Sequence, residues 1–296
     1  MRFFTLVFIQ LILVFSVFAQ KEEQTPVSET FNCSMLSETQ TIMSPYAKGY
    51  EFIIHHRFGL IKDFSDLLGF YAPSNIRLGI DYGITDRLML GFGTEKNNKH
   101  QDLRWKYALL RQTESGSMPV SVSYFGNTVL DANNSEKFGQ NYKFIDRLSY
   151  FNQIIVARKF NDKFSFQVAG SYSHFNKVDS IYQNDAIGLT AAGMVKLTYS
   201  MSLMFEYNHS IYVKDSRYYH KQPEPGLGLG LQIATGTHAF QVFATTYDNI
   251  TPQSNFIMNS NQVLNRDVRD PLTGQIIPGE KSDLGIRFGF NITARF

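Results

Sequence analysis

The sequence predicts an all-β fold: a single antiparallel up-and-down transmembrane β-barrel of about 12 strands, with short periplasmic turns and long extracellular loops. Three observations predict it. Apolar residues recur at every second position in run after run from Gly49 to Phe296. The connections between runs alternate between short and long. Outward-pointing aromatic residues gather near the ends of the runs, where a bilayer meets water.

The first nineteen residues carry Arg2, an apolar run and small residues at Val17 and Ala19. They read as a secretory signal peptide (1–19) cleaved near Ala19–Gln20. Gln10 interrupts the run and Glu22 and Glu23 follow it, where a stop-transfer anchor would carry basic residues. Residues 20–48 are rich in Ser, Thr and Glu without a sustained period, and are expected to form a periplasmic N-terminal arm. Residues 49–296 form the expected outer-membrane barrel.

Within the barrel the apolar face is legible strand by strand. It runs through Tyr50, Phe52 and Ile54; Ile76, Leu78, Ile80 and Tyr82; Leu88, Leu90 and Phe92; Leu103, Trp105 and Tyr107; Val120, Val122 and Tyr124. It continues through Tyr150, Ile154 and Val156; Phe164, Phe166 and Val168; Ile187 and Leu189; Leu203, Phe205 and Tyr207; Leu227, Leu229 and Leu231; Phe240 and Val242. The closing run, Asp283 to Phe296, alternates without a lapse. Thr85–Arg87, Asn161–Lys163, Thr198–Ser200 and Thr235–Thr237 are short turns, whereas Gly59–Ser74, Val129–Lys143, Ser210–Glu224 and Tyr247–Ser282 are long. Sorting by parity is what a barrel with two unlike ends requires; a soluble sandwich has no reason for it.

Two aromatic girdles are expected, Tyr50 and Tyr82 at the short-turn rim and Tyr124, Tyr150, Tyr172 and Tyr207 at the long-loop rim. The last strand must pair with the first, because an open sheet edge would strand backbone groups in hydrocarbon. Phe296, the final residue, resembles the C-terminal aromatic signal by which barrel-assembly machinery recognises its substrates. Composition agrees: 15% of residues are aromatic, with 26 Phe and 16 Tyr, yet mean hydropathy is slightly negative. A chain that meets lipid on alternate residues only has that balance.

The stretches His55–Gly59, Asn75–Gly93, Lys106–Gln112, Met118–Phe125, Ile154–Gln167, Thr237–Thr245 and Ile286–Ile292 together resemble a Bacteroidota-type family of predicted outer-membrane β-barrels catalogued as a domain of unknown function. The resemblance runs over nearly all of Tyr50 to Phe296. It implies architecture and compartment, the outer membrane of a Gram-negative bacterium, and brings no catalytic motif.

Candidate chemistry is sparse. His55 and His56 are adjacent, so on a strand they face opposite sides and cannot share one metal. Ser171 and Ser173 point inward while His174 points outward, which separates nucleophile from base. The glycines of Gly226–Gln232 alternate with leucines and precede no helix, so they are small lumen residues rather than a phosphate loop. Cys33 is the single cysteine, which excludes an internal disulfide. A net charge of +2, from 28 basic and 26 acidic residues, leaves no nucleic-acid footprint. No enzyme activity, metal or cofactor is expected.

The informative surface is the lumen. Glu51, Arg57, Arg77, Asp81, Arg104, Lys106, Asp283 and Arg287 all fall on inward positions. They are expected to form a charge network, with Arg57, Arg77 and Arg287 laddered beside Glu51, Asp81 and Asp283. A polar interior points to a porin-like channel passing small hydrophilic solutes; the alternative is a non-conducting barrel that anchors envelope partners through its loops and arm. Phe256, Ile257 and Met258 give the Tyr247–Ser282 loop more apolar content than a solvated loop needs, so it is expected to fold into the mouth.

Overall fold

The computed structural model describes residues 25–61, 65, 67, 69–214, 222–247, 249–261, 268–269, 276–277 and 285–296. The proposed signal peptide and Asp283 lie outside them.

Two short strands come first, β1 (Met35–Leu36) and β2 (Thr39–Gln40), paired as a hairpin. The wall follows: β3 (Tyr50–Leu60), β4 (Asn75–Gly83), β5 (Leu88–Glu95), β6 (His100–Leu110), β7 (Ser121–Asp131), β8 (Leu148–Lys159) and β9 (Phe164–Phe175). It continues with β10 (Asp185–Lys196), β11 (Met201–Tyr212), β12 (Gly226–Ala234) and β13 (His238–Thr245). A helix α1 (Pro252–Met258) and a two-residue pair β14 (Val268–Arg269) and β15 (Ile276–Ile277) precede the last wall strand, β16 (Arg287–Arg295).

The twelve wall strands form a closed antiparallel barrel in sequence order, with β16 returning to β3. Closure is complete at the seam: Tyr50 N–H donates to the Phe296 carbonyl at 2.8 Å and Phe296 N–H returns the bond at 3.0 Å. This is the physical reason the chain runs two-faced to its last residue. Closing the barrel leaves no open sheet edge to strand backbone groups in lipid. The period-two face is also as expected: Leu78, Phe92, Leu103, Leu189, Leu229 and Val242 are exposed to the lipid side, while the alternate residues are buried inside.

One girdle assignment needs correction. Tyr124 pairs with Tyr107, which pairs with Leu88 beside the tight Thr85–Arg87 turn. Tyr124 therefore sits in the short-turn half of the wall, not at the long-loop rim, and its hydroxyl bonds Asn152. Position along a tilted strand depends on register with neighbours, which a strand read alone does not supply. The Tyr50 and Tyr82 rings meet at a tilt with centroids 4.8 Å apart at the short-turn rim, and Tyr150 and Tyr172 lie toward the long-loop ends of β8 and β9. Tyr207, midway along β11, pairs with Leu227 at the upper end of β12.

Candidate functional site

The segment expected to be a periplasmic arm occupies the lumen. It enters at the short-turn rim, where Val27 N–H donates to Gln112 O and Glu114 N–H donates to Thr25 O. It leaves by the same rim, where Lys48 N–H donates to Gly83 O. Between these points it climbs into the barrel and reverses through the β1–β2 hairpin, with Phe31, Cys33 and Leu36 at most 1% exposed. An arm without period looked solvated because its partners are scattered over the whole wall.

Those partners are mostly polar side chains bonding hairpin backbone. Lys106 Nζ donates to the carbonyls of Ser34 at 3.2 Å and Met43 at 2.7 Å. Gln167 donates to Gln40 O, Gln241 to Met35 O and Asn291 to Ser37 O, each at 2.7–2.8 Å. Glu206 accepts from the backbone N–H groups of Glu38 and Thr39. Arg57 grips the Glu38 carboxylate with Nε at 2.5 Å and Nη2 at 2.8 Å. A two-strand ribbon cannot satisfy its own outer edges, and the wall side chains do it instead.

The expected charge network exists, with different pairings. Arg57 takes its carboxylate from the hairpin, not from Glu51. Arg77 binds Asp102 through two bonds at 2.7 and 2.6 Å, Arg104 binds Asp81 at 2.7 Å, and Glu51 binds Arg295 at 3.1 Å. Direct register opposes Glu51 to Asp81, two like charges, so each reaches elsewhere. The reach is possible because β5 presents glycine inward: a Cβ on Gly91 would stand 1.9 Å from Asp81 Oδ1, and one on Gly93 would stand 2.0 Å from Arg77 Nη2. Arg287 pairs with Leu60 beside a register shift at the end of β16.

The lumen also contains a set the sequence reading passed over. Phe125, Phe151, Ile155, Met194, Met204 and Phe243 are inward and at most 2% exposed. Phe31 and Leu36 of the arm pack with Ala157, Ala192, Met194 and Met204. The signal was present in the sequence: β8 is apolar on both faces over Ile154–Ala157, and a second apolar face announces a second partner.

A helical lid is seated in the other end, against one side of the wall. Helix α1 lies inside the wall against β8–β11, as expected for this part of the loop, with Phe256 edge-on to Phe151 at 4.9 Å and clustered with Phe125, Ile155 and Ala169. Gln253 donates to Asn127 at 2.6 Å, and Tyr212 hydroxyl donates to Ile257 O at 2.8 Å. Gly188 permits the seating, since a Cβ there would lie 2.4 Å from the Phe256 ring. Between hairpin and lid remains a small chamber of about 30 Å³, lined by Gln40, His55, Arg77, Arg104, Asn127 and Gln153 among others.

Cys33 is buried in the hairpin, its thiol donating to Met35 O at 2.8 Å. Burial, reinforced by the negative charge of Glu51, pushes this thiol up to about 12. Of the remaining candidates, Ser171 and Ser173 face the lumen and His174 the outside, where it meets Asp185 at 2.7 Å. Among the described residues no group of three His, Cys, Asp or Glu is arranged to hold a metal.

No curated protein matches the sequence. Solved structures with a similar barrel include the NanC porin, 10% identical over 83% of this chain and 98% of that one, with a TM-score of 0.48. The KdgM porin is 9% identical over 84% and 99%, with a TM-score of 0.44, and LpxR from Salmonella typhimurium is 11% identical over 82% and 99%, with a TM-score of 0.40. The closed twelve-stranded wall, and the hairpin with it, fall within residues 31–296, which match the membrane bound beta barrel domain family DUF5777, and the chain belongs to that family.

Proposed function

We propose that the chain is an outer-membrane barrel closed at rest by its own N-terminal hairpin, a gated porin-like conduit for small hydrophilic solutes and not an enzyme. The observation that carries it is the chemistry of the latch. Arg57, Lys106, Gln167, Glu206, Gln241 and Asn291 hold the hairpin by polar bonds, and water can replace each of these once the hairpin leaves. The vacated β3–β6 side of the lumen would be lined by hydrated polar groups, which is what a solute path needs along at least one wall. A permanent plug has no use for so many exchangeable contacts. Lipid surrounds the wall, and the exposed Phe296 is offered to the assembly machinery.

Planar-bilayer recording of refolded protein tests this. Full-length protein is expected to be silent or to open rarely, and deletion of Ser28–Ser44 to give frequent stepwise conductance. A deletion variant that folds, shown by its heat-modifiable migration, yet stays silent would overturn the conduit and leave an anchoring barrel.

A further inference from the structure

We propose that the chamber between hairpin and lid is a binding site for a small, singly protonated oxyanion. This goes beyond the conduit and does not depend on it, because the chamber exists with hairpin and helix seated in the barrel.

The lining presents uncommitted donors on one wall. Arg104 spends its Nε on Asp81 at 2.7 Å, and its Nη2 is buried with no hydrogen-bond partner. Arg77 spends Nε and Nη2 on Asp102, and its Nη1 faces His55 Nδ1 at 3.4 Å. A guanidinium has no acceptor, so in that contact Nδ1 must accept and the neutral ring carries its proton on Nε2. That Nε2 is likewise buried without a partner. His55 and Arg77 are direct register partners. Nη1 of Arg77 and Nη2 of Arg104 lie 2.7 and 3.2 Å from the point where a Gly79 side chain would begin. Two guanidinium edges and an imidazole N–H thus belong to one patch.

Acceptors come from elsewhere around the chamber. Gln153 of β8 donates its amide to Ser171 at 3.0 Å, leaving its carbonyl oxygen buried and unbonded. Gln40, on the hairpin, also has an unbonded buried oxygen. Arg104, His55, Gln153 and Gln40 are each more than nine-tenths buried, so these atoms are costly to leave unmatched. A neutral donor alone would leave the guanidinium edges idle, and a fully deprotonated anion would repel the amide oxygens. An oxyanion that keeps one hydroxyl matches both: its charged oxygens take the arginine and histidine protons, and its hydroxyl donates to an amide oxygen. Hydrogen phosphate has this form.

Equilibrium dialysis of the refolded full-length protein in detergent against radiolabelled inorganic phosphate, at constant ionic strength set with chloride, tests the site. Saturable binding is expected, weakened at least about tenfold by His55→Phe and by Gln153→Leu, the loss of one bond to a charged or buried partner. His55→Gln, which restores an N–H donor, is expected to recover part of the affinity. The two variants lie on different strands, and heat-modifiable migration confirms the fold of each. Absence of saturable phosphate binding by the wild-type protein, or undiminished binding in both variants, would overturn the proposal. So would displacement by chloride at equal concentration, which would mark simple charge attraction. A silent bilayer trace bears on the conduit and not on this result.

Discussion

The two halves of the barrel wall hold the same hairpin by opposite means. On β3–β6 the inward residues include Arg57, Arg77, Asp81, Arg104 and Lys106, and the hairpin answers with Glu38 and its carbonyls. On β8–β11 they include Ala157, Ala192, Met194 and Met204, and the arm answers with Phe31 and Leu36. The difference decides where closure gets its free energy. Ions released on the charged half recover hydration, so their net contribution to docking is small although each bond is short. Apolar surface released on the other half gains nothing from water and loses about 25 cal/mol for every Å² exposed. The charged half therefore sets where the hairpin sits, and the apolar half sets how firmly.

The largest effect expected from this contrast comes from splitting a pair. Arg57→Met leaves Glu38 buried without its hydrogen-bonded counter-ion, which costs about 3–5 kcal/mol, and the hairpin escapes that cost by leaving the lumen. Maleimide labelling of Cys33 in the folded barrel, negligible in wild type, should become rapid. Adding Glu38→Met should restore protection to within about 1–2 kcal/mol, because removing both members of a buried pair is nearly neutral. If the double variant labels as fast as the single one, the charged half contributes firmness as well as position, and the contrast fails.

Truncation on the apolar side should cost somewhat less and resist rescue. Leu36 is fully buried among Met194, Met204 and their neighbours. Leu36→Ala is expected to weaken docking by about 2–4 kcal/mol, from lost transfer energy and the cavity left behind. Accelerated Cys33 labelling with an unchanged urea midpoint for the wall would show that the loss falls on the hairpin. Labelling as slow as wild type would mean that the packing contributes little to closure.

The same contrast explains what could be read in advance. Lipid imposes period two on the outer face of every strand, so twelve strands, their closure and the parity of their loops were legible from residues such as Leu229, Leu231 and Phe290. The lumen obeys no such external rule. Arg77 finds Asp102 two strands away across Gly93, a diagonal that depends on register and on a missing side chain. Arg57 finds Glu38, nineteen positions back in an arm without period. The inward Phe151 and Ile155 form a second apolar face that the sequence reading passed over, because the outward face alone was enough to define the strand. Phe256 pointed to a loop folded into the mouth, and its burial against Phe151 bears that out.

The smallest effect concerns pH, and it too separates the halves. Cys33 lies where the hairpin meets Gln232 and Gln241, and its docked thiol titrates near 12 against an ordinary 9.0. A released hairpin binds fewer protons than a docked one between those values. Docking is therefore at full strength below pH 9 and declines as pH rises toward 12, by about 1.4 kcal/mol per unit. Protease cleavage within residues 30–44 of the folded barrel should accelerate about fivefold between pH 9 and pH 10 in wild type. Cys33→Ala lacks the titrating group, so its acceleration over the same interval should be smaller by that factor. Equal pH slopes in the two proteins would place the thiol's titration outside the docking equilibrium, with alkaline loosening then coming from the lysine-bearing half of the wall through Lys106.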